Sequence, residues 1–228
     1  IAPEGRPVRT TAEKANYHLI DTPAKLAQLV AELSRQSLIS VDTETTHVSP
    51  RCAQIVGYSF AFKPNEAYYI PVRGPAGDTV LDPRTALETL RPVLENPAIK
   101  KIGQNIKYDI IVLRAAGVRL AGVAFDTMVA SYLLDAGGRS HNLDNLALQY
   151  LNHTTIKIDQ LIGKGRDQKR MDEVPVAQVA VYAAEDADIP LRMHPILADR
   201  LAEMELEALN ETVEVPLIDV LAEMEFTG

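Results

Sequence analysis

Hydrophobic and polar positions alternate with two different periods along this chain. Runs rich in β-branched and aromatic residues at 38–43, 54–62 and 67–72 are separated by short polar or proline-containing breaks. That pattern predicts three strands in an antiparallel meander. A further short strand is expected at 17–20. Asp21-Thr22-Pro23 then opens a helix, with a capping side chain and a proline suited to the first turn, and Leu26, Leu29, Val30 and Leu33 recur at helical spacing. Helices are predicted at 83–94, at 106–116 closed by Gly117, at 127–134 behind the cap Asp126, and at 143–151. Short strands are predicted at 100–103 and 124–125. Gly137-Gly138 breaks the chain, and 152–174 reads as irregular. From Val176 onward the period is helical, interrupted by Pro190, Pro195 and Pro216. Strands dominate the first third and helices the rest, which predicts an α/β domain with a mixed central sheet flanked by helices.

The polar positions that break this pattern carry the chemistry. The strand at 38–43 is apolar on both faces, as a central strand would be, yet it runs into Asp42 and Glu44. Residues i and i+2 of a strand share a face, about 6.6 Å apart at ~3.3 Å per residue, so both carboxylates can reach one cation. A solvated strand end is the alternative for D-x-E alone, but two acids closing a buried strand are costly unless paired or metal-bound. In KIGQNIKYDIIVL (101–113), Ile106, Ile110 and Leu113 form the apolar stripe, and Asp109 stands about 60° from Ile110, half-buried. In VYAAEDADIPLRMH (181–194), Val176, Ala180, Ala183, Ala187 and Leu191 form the stripe, and Tyr182 and Asp186 stack four residues apart beside it. The same wheel turns Glu185 and Asp188 away, so Asp186 is the acid expected to face the fold. Pro190 removes the amide that would bond the Asp186 carbonyl, which predicts a kink or break just past that acid. Four carboxylates on three elements, with one tyrosine, suit hard cations such as Mg²⁺ or Mn²⁺. Two such ions can clamp the attacking and leaving oxygens of a phosphodiester.

Composition narrows the setting. The chain has 228 residues, of which 46% are hydrophobic and 24% charged, enough for one sizeable core. Its formal charge of -8 argues mildly against a nucleic-acid partner, unless bound cations invert the local field. No apolar run approaches the ~18 residues of a membrane span, and the first residues do not read as a signal peptide. Cys52 is the sole cysteine, so no internal disulfide is expected, consistent with a reducing compartment. The basic stretch GKGRDQKR (163–170) has two readings, phosphate contact through Lys164, Arg166, Lys169 and Arg170 or a solvated loop. His47, His141, His153 and His194 lack metal-ligand spacing. Asp126 reads as a helix cap and Asp144 as a cap or surface acid.

DTE at 42–44, GQNIKYD at 103–109 and YAAED at 182–186, with FDTMVASYLLD at 125–135, resemble the proofreading 3'→5' exonuclease domain of bacterial DNA polymerase I. That family is the tyrosine-bearing branch of the DEDD exonuclease superfamily. The resemblance spans about residues 15–205, leaving 1–14 as a linker from a preceding region and 206–228 as a helical lead into a polymerase domain. It implies an RNase H-like fold, two divalent ions (Mg²⁺ or Mn²⁺), and cleavage from single-stranded or frayed 3' ends of DNA. It places Asp42, Glu44 and Asp186 on one ion, Asp42 and Asp109 on the second, and Tyr182 with Glu44 on the attacking water. It makes Thr43, Gln104, Asn105, Lys107 and Tyr108 substrate contacts, sets Val48 against the terminal base and puts Arg139 near the phosphate. A cytoplasmic monomer, part of a longer chain and without membrane attachment, is expected. An RNase D-like RNA exonuclease and a catalytically silent module remain the alternatives.

Overall fold

The computed structural model describes residues 15–228; the expected linker at 1–14 lies outside the described residues. The chain forms β1 (Asn16–Leu19), α1 (Pro23–Leu33), β2 (Leu38–Thr45), β3 (Ile55–Lys63), β4 (Glu66–Pro71), α2 (Pro83–Leu94), β5 (Lys100–Gly103), α3 (Ile106–Ala115), β6 (Val123–Asp126), α4 (Thr127–Leu134), α5 (Leu143–Leu151), α6 (Ile158–Ile162), α7 (Val176–Glu203), α8 (Glu207–Leu209) and α9 (Val215–Thr227). The strands make one sheet in the order β1-β4-β3-β2-β5-β6. The meander β2-β3-β4 is antiparallel, whereas β5 runs parallel to β2, β6 to β5, and β1 to β4. This is the mixed sheet that the sequence predicts.

The period-2 alternation of the central strands divides the core. Ile39 and Val41 of β2, Tyr58 and Phe60 of β3, and Tyr68 and Ile70 of β4 join one apolar cluster with Leu26, Leu29 and Leu33 of α1, Leu90 and Leu94 of α2, and Ile106 and Ile110 of α3. The opposite face carries small residues: Ser40, Gly57, Ser59, Ala61 and Ala67. Helix α7 lies across this face and turns its own small residues Ala183, Ala184 and Ala187 inward. Small side chains on both partners let a helix backbone approach a sheet closely. Glu44 and Asp42 are the continuation of the small face, at the end of β2 beneath α7.

Two expectations fail. Helix α7 is continuous over its 28 residues and passes through Pro190 and Pro195 without a break. One proline in a helix interior costs ~3 kcal/mol, and Ile189, Pro190, Leu191 and Met193 are all buried, so packing along the helix holds it together across the missing bond. The segment 152–174 is also not structureless. It contains α6 and two 3₁₀ turns, Gly165–Asp167 and Met171–Glu173, too short to leave a period in the sequence. The last helix, α9, folds back on α3. Ile218 and Ala222 are buried, Glu225 pairs with Lys107 at 2.5 Å, Glu223 pairs with Arg114, and Arg114 stacks on Phe226.

The small face makes a definite demand at Gly57. A Cβ there would lie 2.3 Å from the ring of Tyr69. Gly57→Ala is expected to lower stability by ~1–3 kcal/mol through overpacking, read as a drop in the thermal midpoint of the metal-free protein. An unchanged midpoint would contradict this packing.

Candidate active site

Each acid arrives by a different piece of local logic. Asp42 and Glu44 sit on alternate positions of β2, opposite Ser59 and Gly57 of β3. Ser59 donates its hydroxyl to Asp42 at 3.3 Å. Asp109 lies in the first turn of α3 and accepts from the Thr43 hydroxyl at 2.5 Å. Helix α3 begins at Asn105, which adopts the left-handed conformation (φ 54, ψ 42). Buried Asp126 holds that start, accepting from the amides of Asn105 and Ile106 at 3.1 and 2.8 Å while capping α4 through Met128 and Val129. Tyr182 and Asp186 are one turn apart on α7, and both reach the same cavity.

A cavity of about 640 Å³ is lined by Asp42, Thr43, Glu44, Asp109, Tyr182 and Asp186, with Val48, Gln104, Asn105 and Tyr108 around them. The Tyr108 hydroxyl donates to the His47 carbonyl at 2.5 Å and bonds the Thr45 hydroxyl, which fixes the turn that carries Val48. Val48 stands at the lip, 91% exposed. Both ends of the Gln104 amide are already used, by the Thr127 hydroxyl at 2.5 Å and the His141 carbonyl at 2.8 Å. Lys107 and Arg139 do not line this cavity. Lys107 is held by Glu225, and Arg139 lines a smaller pocket of about 210 Å³ with Ser131, His141 and Tyr150.

The helical wheel of α7 is corrected here. Glu185 and Asp188 are buried, more fully than Asp186. Helix α7 is enclosed by the sheet on one side and by α4, α5 and α6 on others, so a single apolar stripe does not identify its inward face. Each extra acid has partners that offset its burial. Glu185 accepts from the Ile156 amide at 2.7 Å and bonds His153 at 2.8 Å. Asp188 accepts from the Asn65 amide at 2.7 Å, the Tyr17 hydroxyl at 3.2 Å and Arg192 at 3.3 Å. Asp109 is likewise fully buried rather than half-buried. The rest of the wall is Ile158, Ile162, Gln168, Lys169, Arg170 and Met171, so the basic stretch at 163–170 brings Lys169 and Arg170 to the cavity but not Lys164 or Arg166, and sequence reasoning missed Ile158, Ile162, Gln168 and Met171. Ile158 and Ile162, four apart, were the available signal within a stretch that reads as irregular.

The electrostatics follow from crowding. Burial pushes Asp42 up to about 6, against hydrogen bonds from Ser59 and Thr43 that lower it. Burial, then the charges of Asp42, Asp186 and Asp109, push Glu44 well above the usual carboxylate range. Burial and then Asp42 do the same to Asp109 and Asp186. Burial, Asp186 and Glu44 raise the Tyr182 phenol, so it keeps its proton at neutral pH. Among the described residues no group of three or more acid, histidine or cysteine side chains is placed to hold a metal ion by itself. Mg²⁺ is usually held by one or two carboxylates with water and substrate phosphate in its other positions, so an open, oxygen-only donor set fits such an ion.

A folded-state pKa above the unfolded one contributes stability that is complete below the unfolded pKa and lost as pH rises through the folded one. For Asp42 that window runs from 3.8 to about 6. Asp42→Asn, neutral at every pH, is therefore expected to melt higher than the parent in EDTA at pH 7.5, with the advantage closing as pH falls toward 4. A difference in midpoint that is flat with pH would contradict the cost of burying this carboxylate in its charged form.

The family model for the 3'-5' exonuclease matches residues 17–202. The chain is 40% identical to DNA polymerase I of Pseudomonas aeruginosa over 220 residues, 94% of this chain and 24% of that protein. It is 38% identical to DNA polymerase I of Chloroflexus aurantiacus over 231 residues, 100% of this chain and 24% of that protein. It thus spans about a quarter of the length of these relatives. Among solved structures, a DNA-bound Pol1 from M. smegmatis superposes with a TM-score of 0.72 at 25% identity, covering 92% of this chain and 32% of that one. RNase D of Escherichia coli shares the fold at a TM-score of 0.67 and 18% identity, covering 92% of this chain and 51% of that one. The chain belongs to the 3'-5' exonuclease domain family of DNA polymerase I.

Proposed function

We propose that this domain removes nucleotides one at a time from the 3' end of DNA by hydrolysis of the terminal phosphodiester, with two divalent cations (Mg²⁺ or Mn²⁺) held by Asp42, Glu44, Asp109 and Asp186. The observation that carries the reading is the convergence of four carboxylates and one tyrosine, from β2, α3 and α7, on a single open cavity. The cations, when bound, lower the pKa of an attacking water and neutralise charge on the leaving oxygen. Tyr182 is a poor base, because burial keeps its proton in place. Its O–H lies one turn from Asp186 on the same helix, its lone pairs can accept from the attacking water, and Glu44 can accept that water's other proton. The phenol thus orients the nucleophile rather than deprotonating it. Asn105 and Tyr108 flank the acids, and exposed Val48 offers an apolar surface to the last base.

Gln104 and Lys107 act in this reading through the fold. Gln104 ties α3 to the 138–141 turn, and Lys107 ties it to α9. Arg139 would reach the cleft only if that turn moved. DNA is favoured over RNA as the substrate because the relatives named DNA polymerase I share up to 40% identity, against 18% for RNase D. The module is proposed to act as a cytoplasmic monomer joined to a polymerase domain in a longer chain. Among the described residues no helix is long and apolar enough to cross a membrane.

With a 5'-labelled single-stranded DNA and Mg²⁺ or Mn²⁺, a ladder shortening from the 3' end is expected, absent in EDTA and reduced at least about a hundredfold by Asp42→Ala. Tyr182→Phe is expected to lower kcat roughly tenfold to a hundredfold with little change in KM. Faster degradation of an RNA of the same sequence would replace DNA with RNA as substrate. No digestion under any of these conditions would overturn the catalytic reading.

A further inference from the structure

The hydroxyl of Tyr69 is buried and has no hydrogen-bond partner among the described residues. Such a group is rare in a folded core, because an unsatisfied buried hydroxyl costs ~1–3 kcal/mol. The register of the sheet shows where it points. Tyr69 on β4 pairs with Ser59 on β3, and Ser59 pairs with Asp42 on β2. One step along, Gly57 pairs with Glu44. The phenol tip of Tyr69 leans diagonally across β3 and lies 2.3 Å from where a Gly57 Cβ would be. Directly opposed residues in an antiparallel pair have Cβ atoms ~4.5–5.5 Å apart on one face. The tip of the Tyr69 ring with its oxygen therefore fills the space a Gly57 side chain would take, on the strand next to Glu44. Tyr69 does not line the cavity. It lies beneath the floor, in the same apolar cluster as Val179, Ala180 and Ala183, with Tyr182 packed against it. The absence of a side chain at Gly57 is what admits the ring to this position.

We propose that Tyr69 is a positioning residue for Glu44: with a divalent cation bound at Glu44, its hydroxyl donates to the carboxylate oxygen that faces away from the cavity. A carboxylate held by a cation through one oxygen keeps a second oxygen to be satisfied, and the Tyr69 hydroxyl is a buried donor beneath the site that has no partner of its own among the described residues. The orphaned oxygen of the metal-free fold thus becomes the second partner of a metal ligand, as a supporting hydrogen bond commonly does. The inference rests on the proposed metal-dependent reading of the same acids.

Tyr69→Phe tests it, since the ring is retained and only the oxygen is removed. The melting midpoint in EDTA is expected to stay level or rise, because the unsatisfied hydroxyl is gone. Mn²⁺ affinity by calorimetry is expected to fall roughly tenfold to a hundredfold, and kcat with it, while KM for single-stranded DNA holds. Unchanged Mn²⁺ affinity in a well-folded Tyr69→Phe protein would overturn the assignment and leave the proposed function standing. Absence of saturable Mn²⁺ binding in the parent protein would overturn both.

Discussion

Four carboxylates around one cavity repel one another, and burial makes that repulsion strong. This constraint orders much of the structure. Acids at the end of a core strand, in the first turn of α3 and midway along α7 are destabilising in their charged forms, and an ordinary core would exclude them. The fold tolerates them in part through hydrogen bonds to three of the four. Ser59 supports Asp42, Thr43 supports Asp109, and Tyr182 supports Asp186. What remains is a standing demand for positive charge, which protons satisfy at low pH and which, in the proposed reading, cations satisfy at neutral pH.

The packing that sets up this demand is made of small residues. Serines, alanines and Gly57 on one face of the meander, against alanines on α7, bring the helix close enough for Tyr182 and Asp186 to meet Asp42 and Glu44. Asp126 performs the same service for α3, since one carboxylate joins the start of that helix to the start of α4. The remaining acids of α7 hold the walls. Glu185 holds the chain that leads into α6, and Asp188 holds the β3–β4 turn and β1. Adjacent acids on one helix thus serve different purposes, set by what packs over each.

Much of this was legible in the sequence. The strand signals at β2, β3 and β4 carried clear alternation, and the D-x-E pair advertised itself by ending a buried strand. Helix α3 and Asp109 followed from periodicity with the help of Gly117. The failures have physical causes. Periodicity assumes one buried face, and α7 is buried on several, so the wheel turned Glu185 and Asp188 the wrong way. Local rules put a kink or break at Pro190, and tertiary packing on both sides keeps the helix unbroken there. Of the wall from Ile158 to Met171, the basic residues Lys169 and Arg170 stood out by charge, whereas Ile158, Ile162 and Met171 lie in elements shorter than the periods used to find helices. The engagement of Gln104 and Lys107 could not be read from sequence, since their partners His141 and Glu225 are distant in the chain.

The central claim is that cations replace protons on a crowded set of carboxylates. Calorimetric titration of the metal-free protein with Mn²⁺ tests it directly when repeated in two buffers of different ionisation enthalpy. The account predicts saturable binding accompanied by proton release, with more protons released at pH 6 than at pH 8, and loss of both in Asp42→Ala. Binding without proton release at either pH, or no saturable binding at all, would contradict it.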